Sequence, residues 1–128
     1  MCLRSLHFKS LRGSRIILTG EVWSGKTRLL SELIDEAALE PNLRIAVLDL
    51  APQIQIGSKT IGFSVKNYCK RLNQVNYLRP SVVFAPRLQG RCREEVLDLA
   101  ARNAASIEPL LLSLASKPPD VLFIDDLT

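Results

Sequence analysis

Eight consecutive residues, Gly20-Glu21-Val22-Trp23-Ser24-Gly25-Lys26-Thr27, satisfy the spacing G-x-x-x-x-G-K-[ST] at every fixed position. That spacing suits phosphate chemistry. A short loop of this kind turns backbone N–H groups inward as a nest for an anion. A helix starting at its end adds the positive end of its dipole. Lys26 brings a point charge that can reach β- and γ-phosphate oxygens. Thr27 brings a hydroxyl that can ligate Mg²⁺. Two residues are unusual for such a loop. Trp23 stands where a small residue is common, so its ring is expected to point outward, to pack or to cover the phosphates. Glu21 puts an acid beside an anion site and is expected to turn to solvent.

Three carboxylates lie where such a site would use them. VLFID at 121–125 is an apolar run whose last residue is Asp125. Ligands of open α/β sheets bind at the carboxyl ends of strands, so Asp125 is the expected holder of Mg²⁺, directly or through water. Asp126 follows it and is the candidate to polarise an attacking water, with capping of a turn as the structural alternative. Asp49 ends LRIAVLDL in the same way. It is a second catalytic candidate, with a turn role equally open.

These residues need elements to position them. RIILTG (15–20) reads as a buried strand, because it is short, branched and closed by Gly. KTRLLSELIDEAAL (26–39) sets Leu29, Leu30, Leu33, Ile34 and Ala37 on one helical face. Glu-Pro-Asn at 40–42 stops that helix. LRIAVLDL (43–50) is a second buried strand. APQIQIGSKTIG (51–62) is a loop or hairpin, given Pro52, Gly57 and Gly62. Residues 63–80 show no clear pattern apart from a short helix over VKNYCKRL. SVVFAP (81–86) is a third candidate strand. A helical pattern runs from Arg93 to about Ser116, with Pro109 expected to kink or split it. VLFID closes the series as a strand. Alternation of strand and helix predicts an α/β fold, a three-layer sandwich around a mostly parallel sheet.

The chain has 128 residues, 47% of them hydrophobic and 23% charged, enough for one domain with a core. No apolar run approaches the roughly 20 residues that span a bilayer. Residues 1–14 form a basic segment without the apolar stretch of a signal peptide. Their Arg and Ser without acids also admit an organelle transit peptide, but a terminus that frays or packs on an edge is the simpler expectation. Cys2, Cys69 and Cys92 form no C-x-x-C, so reduced thiols in a cytoplasmic setting are expected, without a disulfide framework or zinc site. The formal net charge is +4. It is unevenly spread. Residues 51–93 hold eight bases (Lys59, Lys66, Lys70, Arg71, Arg79, Arg87, Arg91 and Arg93) and no acid. A basic middle points to a phosphate-bearing partner, nucleotide or nucleic acid, with a plain solvated face as the alternative.

The two motifs, GEVWSGKT and VLFIDD, resemble the Walker A and Walker B segments of P-loop NTPases. The octapeptide is also similar to the loop of ABC-type ATPases, but no LSGGQ-like signature follows. The deviant loop of partitioning ATPases needs a lysine where Glu21 stands. No N-K-x-D of the GTPases occurs. The order of the remaining segments looks most like RecA-type ATPases over residues 15–126, although that family's catalytic glutamate has only Asp49 near its place. The resemblance implies ATP and Mg²⁺ as cofactors, Gly20–Thr27 as the nucleotide-binding loop, and Thr27 with Asp125 on the metal. It implies a nucleotide-binding domain over residues 15–128, of partial P-loop fold, expected to lack C-terminal strands because related domains continue beyond Walker B. It also implies that oligomers are possible. ATP binding with hydrolysis is the leading expectation. A small-molecule or polynucleotide kinase and a non-hydrolysing nucleotide sensor are the alternatives.

Overall fold

The computed structural model describes residues 6–20, 25–52, 54–61 and 64–126. Its elements are α1 (Phe8–Leu11), α2 (Lys26–Ala38), β1 (Ile45–Asp49), β2 (Ile54–Ile56), β3 (Lys59–Ile61), β4 (Asn76–Leu78), α3 (Pro86–Gln89), α4 (Arg93–Ser116) and β5 (Val121–Asp125). Two 3₁₀ turns, Val65–Asn67 and Leu72–Gln74, lie between β3 and β4.

The architecture is α/β with an all-parallel three-stranded sheet in the order β4-β1-β5. β1 is central and buried at all five positions, as its unbroken apolar run predicts for a strand covered on both faces. Alternate residues of β1 serve opposite layers. Ile45 and Val47 join Phe123, Phe8 and the inner face of α2 in one core. Ala46 and Leu48 join Leu114 in the other, with Leu110, Leu78 and Ile124 packed against it. Helices therefore cover both faces of the sheet, α1 and α2 on one and the C-terminal part of α4 on the other. α2 packs through Leu29, Leu33, Ile34 and Ala37, as its 3.6-residue period requires. Phe8 is 5% exposed and meets Phe123 at 6.3 Å between ring centroids, so α1 belongs to the core.

Of the expected loop or hairpin at 51–62, residues 54–61 form a hairpin, β2 paired antiparallel with β3 around Gly57-Ser58. Three expectations need correction. Arg15–Gly20 is not a strand: Ile16 is 47% and Ile17 78% exposed, and Leu18 alone of its three apolar residues packs on the core. Branched side chains favour extended backbone, but only a neighbour's N–H and C=O groups make a ladder. Both sides of β1 are taken, and no described strand pairs with this segment. Residues 81–86 are not a strand either. The third strand is Asn76–Leu78, and Asn103 of α4 instead clasps Phe84, accepting from its N–H and donating to its carbonyl, each at 2.9 Å. Finally, α4 runs unbroken through Pro109. Pro109 and Ala105 are both exposed, so water can reach the Ala105 carbonyl that proline leaves without a helical donor.

Gly90 marks a close approach between α3 and α4. A Cβ placed there would lie 2.5 Å from Val96 Cγ2, 2.8 Å from the Pro86 carbonyl oxygen and 2.9 Å from the Val96 nitrogen. Backbone atoms cannot swing aside, so Gly90→Ala is expected to destabilise the chain by about 1–3 kcal/mol. A urea midpoint equal to that of the parent would contradict this packing.

Candidate functional site

In the parallel ladder between β1 and β5, Asp49 is the register partner of Asp125. Two carboxylates therefore stand side by side at the carboxyl edge of the sheet. Asp49 is fully buried and Asp125 is 6% exposed. The first turn of α2 abuts the same edge. Gly25 precedes α2 with φ 90°, a left-handed conformation that glycine adopts without strain. The Thr27 hydroxyl comes near enough to the Asp125 carboxylate to help lower its pKa. The Lys26 ammonium donates to the Gly20 carbonyl, so the lysine reaches back to the first residue of its own motif. Gly20, Gly25, Lys26 and Thr27 are thus gathered at one place, whereas Glu21, Val22, Trp23 and Ser24 lie outside the described residues.

The two carboxylates have different surroundings. Asp49 is engaged on both oxygens. Arg79 Nη1 meets Oδ1 at 2.8 Å, the Ala51 N–H donates to the same oxygen at 3.1 Å, and the Tyr77 hydroxyl donates to Oδ2. Arg79 also donates to the Ala51 carbonyl at 2.6 Å, so one guanidinium ties the end of β1 to the segment leading into the hairpin. Burial, reinforced by the bond to Asp49, pushes the Tyr77 hydroxyl pKa well above its ordinary value. Asp49 is accordingly a structural charge, locked in a buried pair. This leaves it poorly suited to the catalytic role offered for it, because a general base needs a free lone pair directed at substrate.

Asp125 lies beside the Asp49 carboxylate across the ladder. It accepts from the Val65 N–H at 3.2 Å, where the chain returns from the hairpin. Ser64 caps that 3₁₀ turn and holds it in place. Burial and then the adjacent Asp49 charge raise the Asp125 pKa to about 6, against the lowering effects of the Val65 N–H and the Thr27 hydroxyl. The sign follows directly. Protonation favours the folded chain, so this stabilisation is fully present below pH 3.8 and is lost as pH rises through about 6. At neutral pH the ionised group costs on the order of 2 kcal/mol. Asp125→Asn is therefore expected to be more stable than the parent at pH 7, with the difference closing near pH 4. Thermal midpoints of both chains across that range check this, and a variant less stable at pH 7 would contradict it. A group held at a cost to stability is what a functional site can require.

Asp126 leaves β5 half-buried with a left-handed φ of 66°. Aspartate visits that region more readily than most residues. The turn directs it away from the line of the strand while keeping it next to Asp125.

The donor set can be tested against Mg²⁺. Thr27 and Asp125 offer a hydroxyl and a carboxylate, both hard oxygen donors. Among the described residues no three His, Cys, Asp or Glu side chains converge on a metal position. Mg²⁺ is commonly held by one or two protein oxygens with waters and phosphates completing its shell, so the residues present fit it. Thiol chemistry is not part of this site: burial raises the Cys69 pKa to about 11, which keeps the thiol protonated.

Arg79, Tyr77 and the Val65 amide were not visible as site residues in the sequence. The available signal was the alternation that sets Tyr77 and Arg79 on one side of β4 and its extension. It has meaning only once the register Leu48 to Leu78 is known. No described helix is long and apolar enough to cross a membrane. Comparisons of the chain with protein-family models, with curated proteins and with solved structures find no match.

Proposed function

We propose that the chain binds a magnesium nucleoside triphosphate, ATP in the first instance, and hydrolyses it. The observation that carries this reading is that the start of α2, with Thr27, comes to the sheet edge where β5 ends in Asp125. These residues come from two motifs at opposite ends of the sequence, and the spacing of each is explained by nucleotide binding. On this reading the α/β layers are a partial P-loop NTPase fold. The loop N–H groups and Lys26 hold the phosphates, and Thr27 and Asp125 hold Mg²⁺. The metal supplies neutralisation of phosphate charge when bound. Asp125 then gains a cation where the chain alone gives it a neighbouring anion, which offsets the cost of its ionisation. Asp126 is the carboxylate assigned to accept a proton from water.

One observation favours binding without turnover. Asp49, the other acid at the sheet edge, is occupied by Arg79 and Tyr77 and leaves Asp126 to act alone. Phosphate release under Mg-ATP, lost in Asp126→Asn, would support hydrolysis; tight binding with no phosphate release would support a sensor. The primary test is thermal unfolding with and without Mg-ATP and Mg-GTP, beside Lys26→Ala. A shift in the parent that the variant largely loses is expected.

A further inference from the structure

Helix α4 has 24 residues, and Leu114 alone of them is buried. A turn of about 100° per residue puts Val96, Asn103, Leu110 and Leu114 along one side of it. That side meets the body of the chain: Leu110 and Leu114 pack in the core, Asn103 holds Phe84, and Val96 closes on Gly90. A second apolar line lies roughly 100° further around the helix. Leu97, Ala100, Ala101, Ala104 and Leu111 follow it, and all five are exposed. Leu97 is 58% exposed, and Leu112 at the border of the line is 63% exposed. A helix that packs on one neighbour needs one apolar stripe, and α4 carries two.

Two charges stand in the exposed line, Arg93 at its start and Glu108 between Ala104 and Leu111. Neither belongs to an ion pair among the described residues. Asp98 and Arg102, off the line, are by contrast paired with each other at 3.0 Å. About 22 Å of helix axis separates Arg93 from Glu108, too far for them to meet within one chain.

We propose that this face of α4 pairs with the same face of a second copy as an antiparallel, two-fold dimer. An axis between Ala100 and Ala101 brings each unpaired charge level with its opposite. Arg93 of one copy then faces Glu108 of the other, and the symmetry makes that pair twice. The same axis sets Leu97 against Ala104 of the second copy, large against small. Ala100 meets Ala101 at the centre, where small side chains let the two backbones approach. One register therefore satisfies charge and size together. A parallel pairing would set Arg93 against Arg93 and Glu108 against Glu108, which like-charge repulsion opposes. An axis through Ala104 would put Glu108 opposite Ala100 and Arg93 opposite Ala115, leaving both charges without a partner. The overlap is about 24 Å of helix, below the roughly 800 Å² per partner of a standard interface, so association in the micromolar range or weaker is expected. The pairing does not rest on the triphosphate reading and needs no nucleotide.

Sedimentation equilibrium of the full chain without nucleotide, from about 5 to 500 µM, tests it. A rise in mass with concentration that stops at two copies is expected. Ala101→Glu puts unpaired charges at the axis and should weaken the dimer about tenfold or more. Arg93→Glu and Glu108→Arg each turn two attractions into two repulsions and should each weaken it about tenfold. They change the net charge in opposite directions, so bulk charge cannot account for a loss in both. Arg93→Glu combined with Glu108→Arg restores the pair in reverse and should return the Kd to within about threefold of the parent. Ser113→Glu, on the polar side of α4, should change it less than about twofold. All these positions are exposed, and circular dichroism confirms that each variant is folded. A parent that stays monomeric at the highest concentration would overturn the proposal. So would growth beyond two copies, a dimer indifferent to Ala101→Glu, or a double reversal no better than the single ones.

Discussion

Arg79→Ala is expected to be the most destabilising single change at the sheet edge, at about 3–5 kcal/mol. The reason is what it leaves behind. Asp49 is fully buried, and Arg79 is the cation that compensates its charge, at 2.8 Å. Without the guanidinium, the Tyr77 hydroxyl and the Ala51 N–H still hydrogen-bond to the carboxylate, but neither brings an opposite charge. The adjacent Asp125 makes the loss worse, because two unneutralised carboxylates would then share one edge. The Ala51 carbonyl would also lose its donor from Arg79. For a single domain with a typical stability of about 5–15 kcal/mol, this is a large fraction of the total. Urea unfolding followed by circular dichroism measures it. Asp49→Asn combined with Arg79→Ala removes the stranded charge and should restore much of the loss relative to Arg79→Ala alone. A single variant as stable as the parent would show that the pair contributes little and that Asp49 is held by other groups.

Lys26→Ala is expected to weaken Mg-ATP binding by about 2 kcal/mol or more, roughly thirtyfold. A charge-assisted contact to phosphate is lost, and no other cation of the motif takes its place. At a ligand concentration near 100 times the parent's Kd, binding adds about 2.7 kcal/mol to parent stability. With affinity reduced thirtyfold, the same concentration adds only about 0.9 kcal/mol. The unfolding midpoint should therefore shift clearly in the parent and little in the variant. Lys26→Arg, which retains a charge, should fall between them. Equal shifts in parent and Lys26→Ala would remove Gly20–Thr27 from the site. No shift in a folded parent would remove the triphosphate reading altogether.

Much of this fold was legible because it depends on local pattern. α2 could be read from the spacing of Leu29, Leu30, Leu33, Ile34 and Ala37; four of them are buried, and Leu30 packs half-buried against the same core. β1 could be read from an unbroken apolar run, and it is the central strand. Pro52, Gly57 and Gly62 left a loop or a hairpin open, and the pairing of β2 with β3 decides for the hairpin. Errors arose where a segment's state depends on a distant partner. RIILTG has the composition of a strand and is none, since no described strand lies beside it. SVVFAP looks like a strand as well, but Asn103, from the middle of α4, engages the backbone of Phe84. The short β4 was missed because three residues give little periodicity, and its parallel pairing with β1 defines it.

The same division runs through the candidate site. Which groups are candidates for chemistry was legible locally, since a phosphate loop and a strand-terminal acid each carry their signature within a few residues. Asp49 and Asp125 looked alike on that basis, both aspartates ending apolar strands. The tertiary structure separated them, by placing Arg79 and Tyr77 against Asp49, and Thr27 and the Val65 amide against Asp125. It likewise turned Arg79 inward while bringing Arg28 to Lys70 and Arg71 across α2. The physical reason is range. Helical and strand periodicity act between near neighbours in the chain, whereas the charge state and availability of a buried carboxylate depend on whatever folding brings within a few ångströms of it.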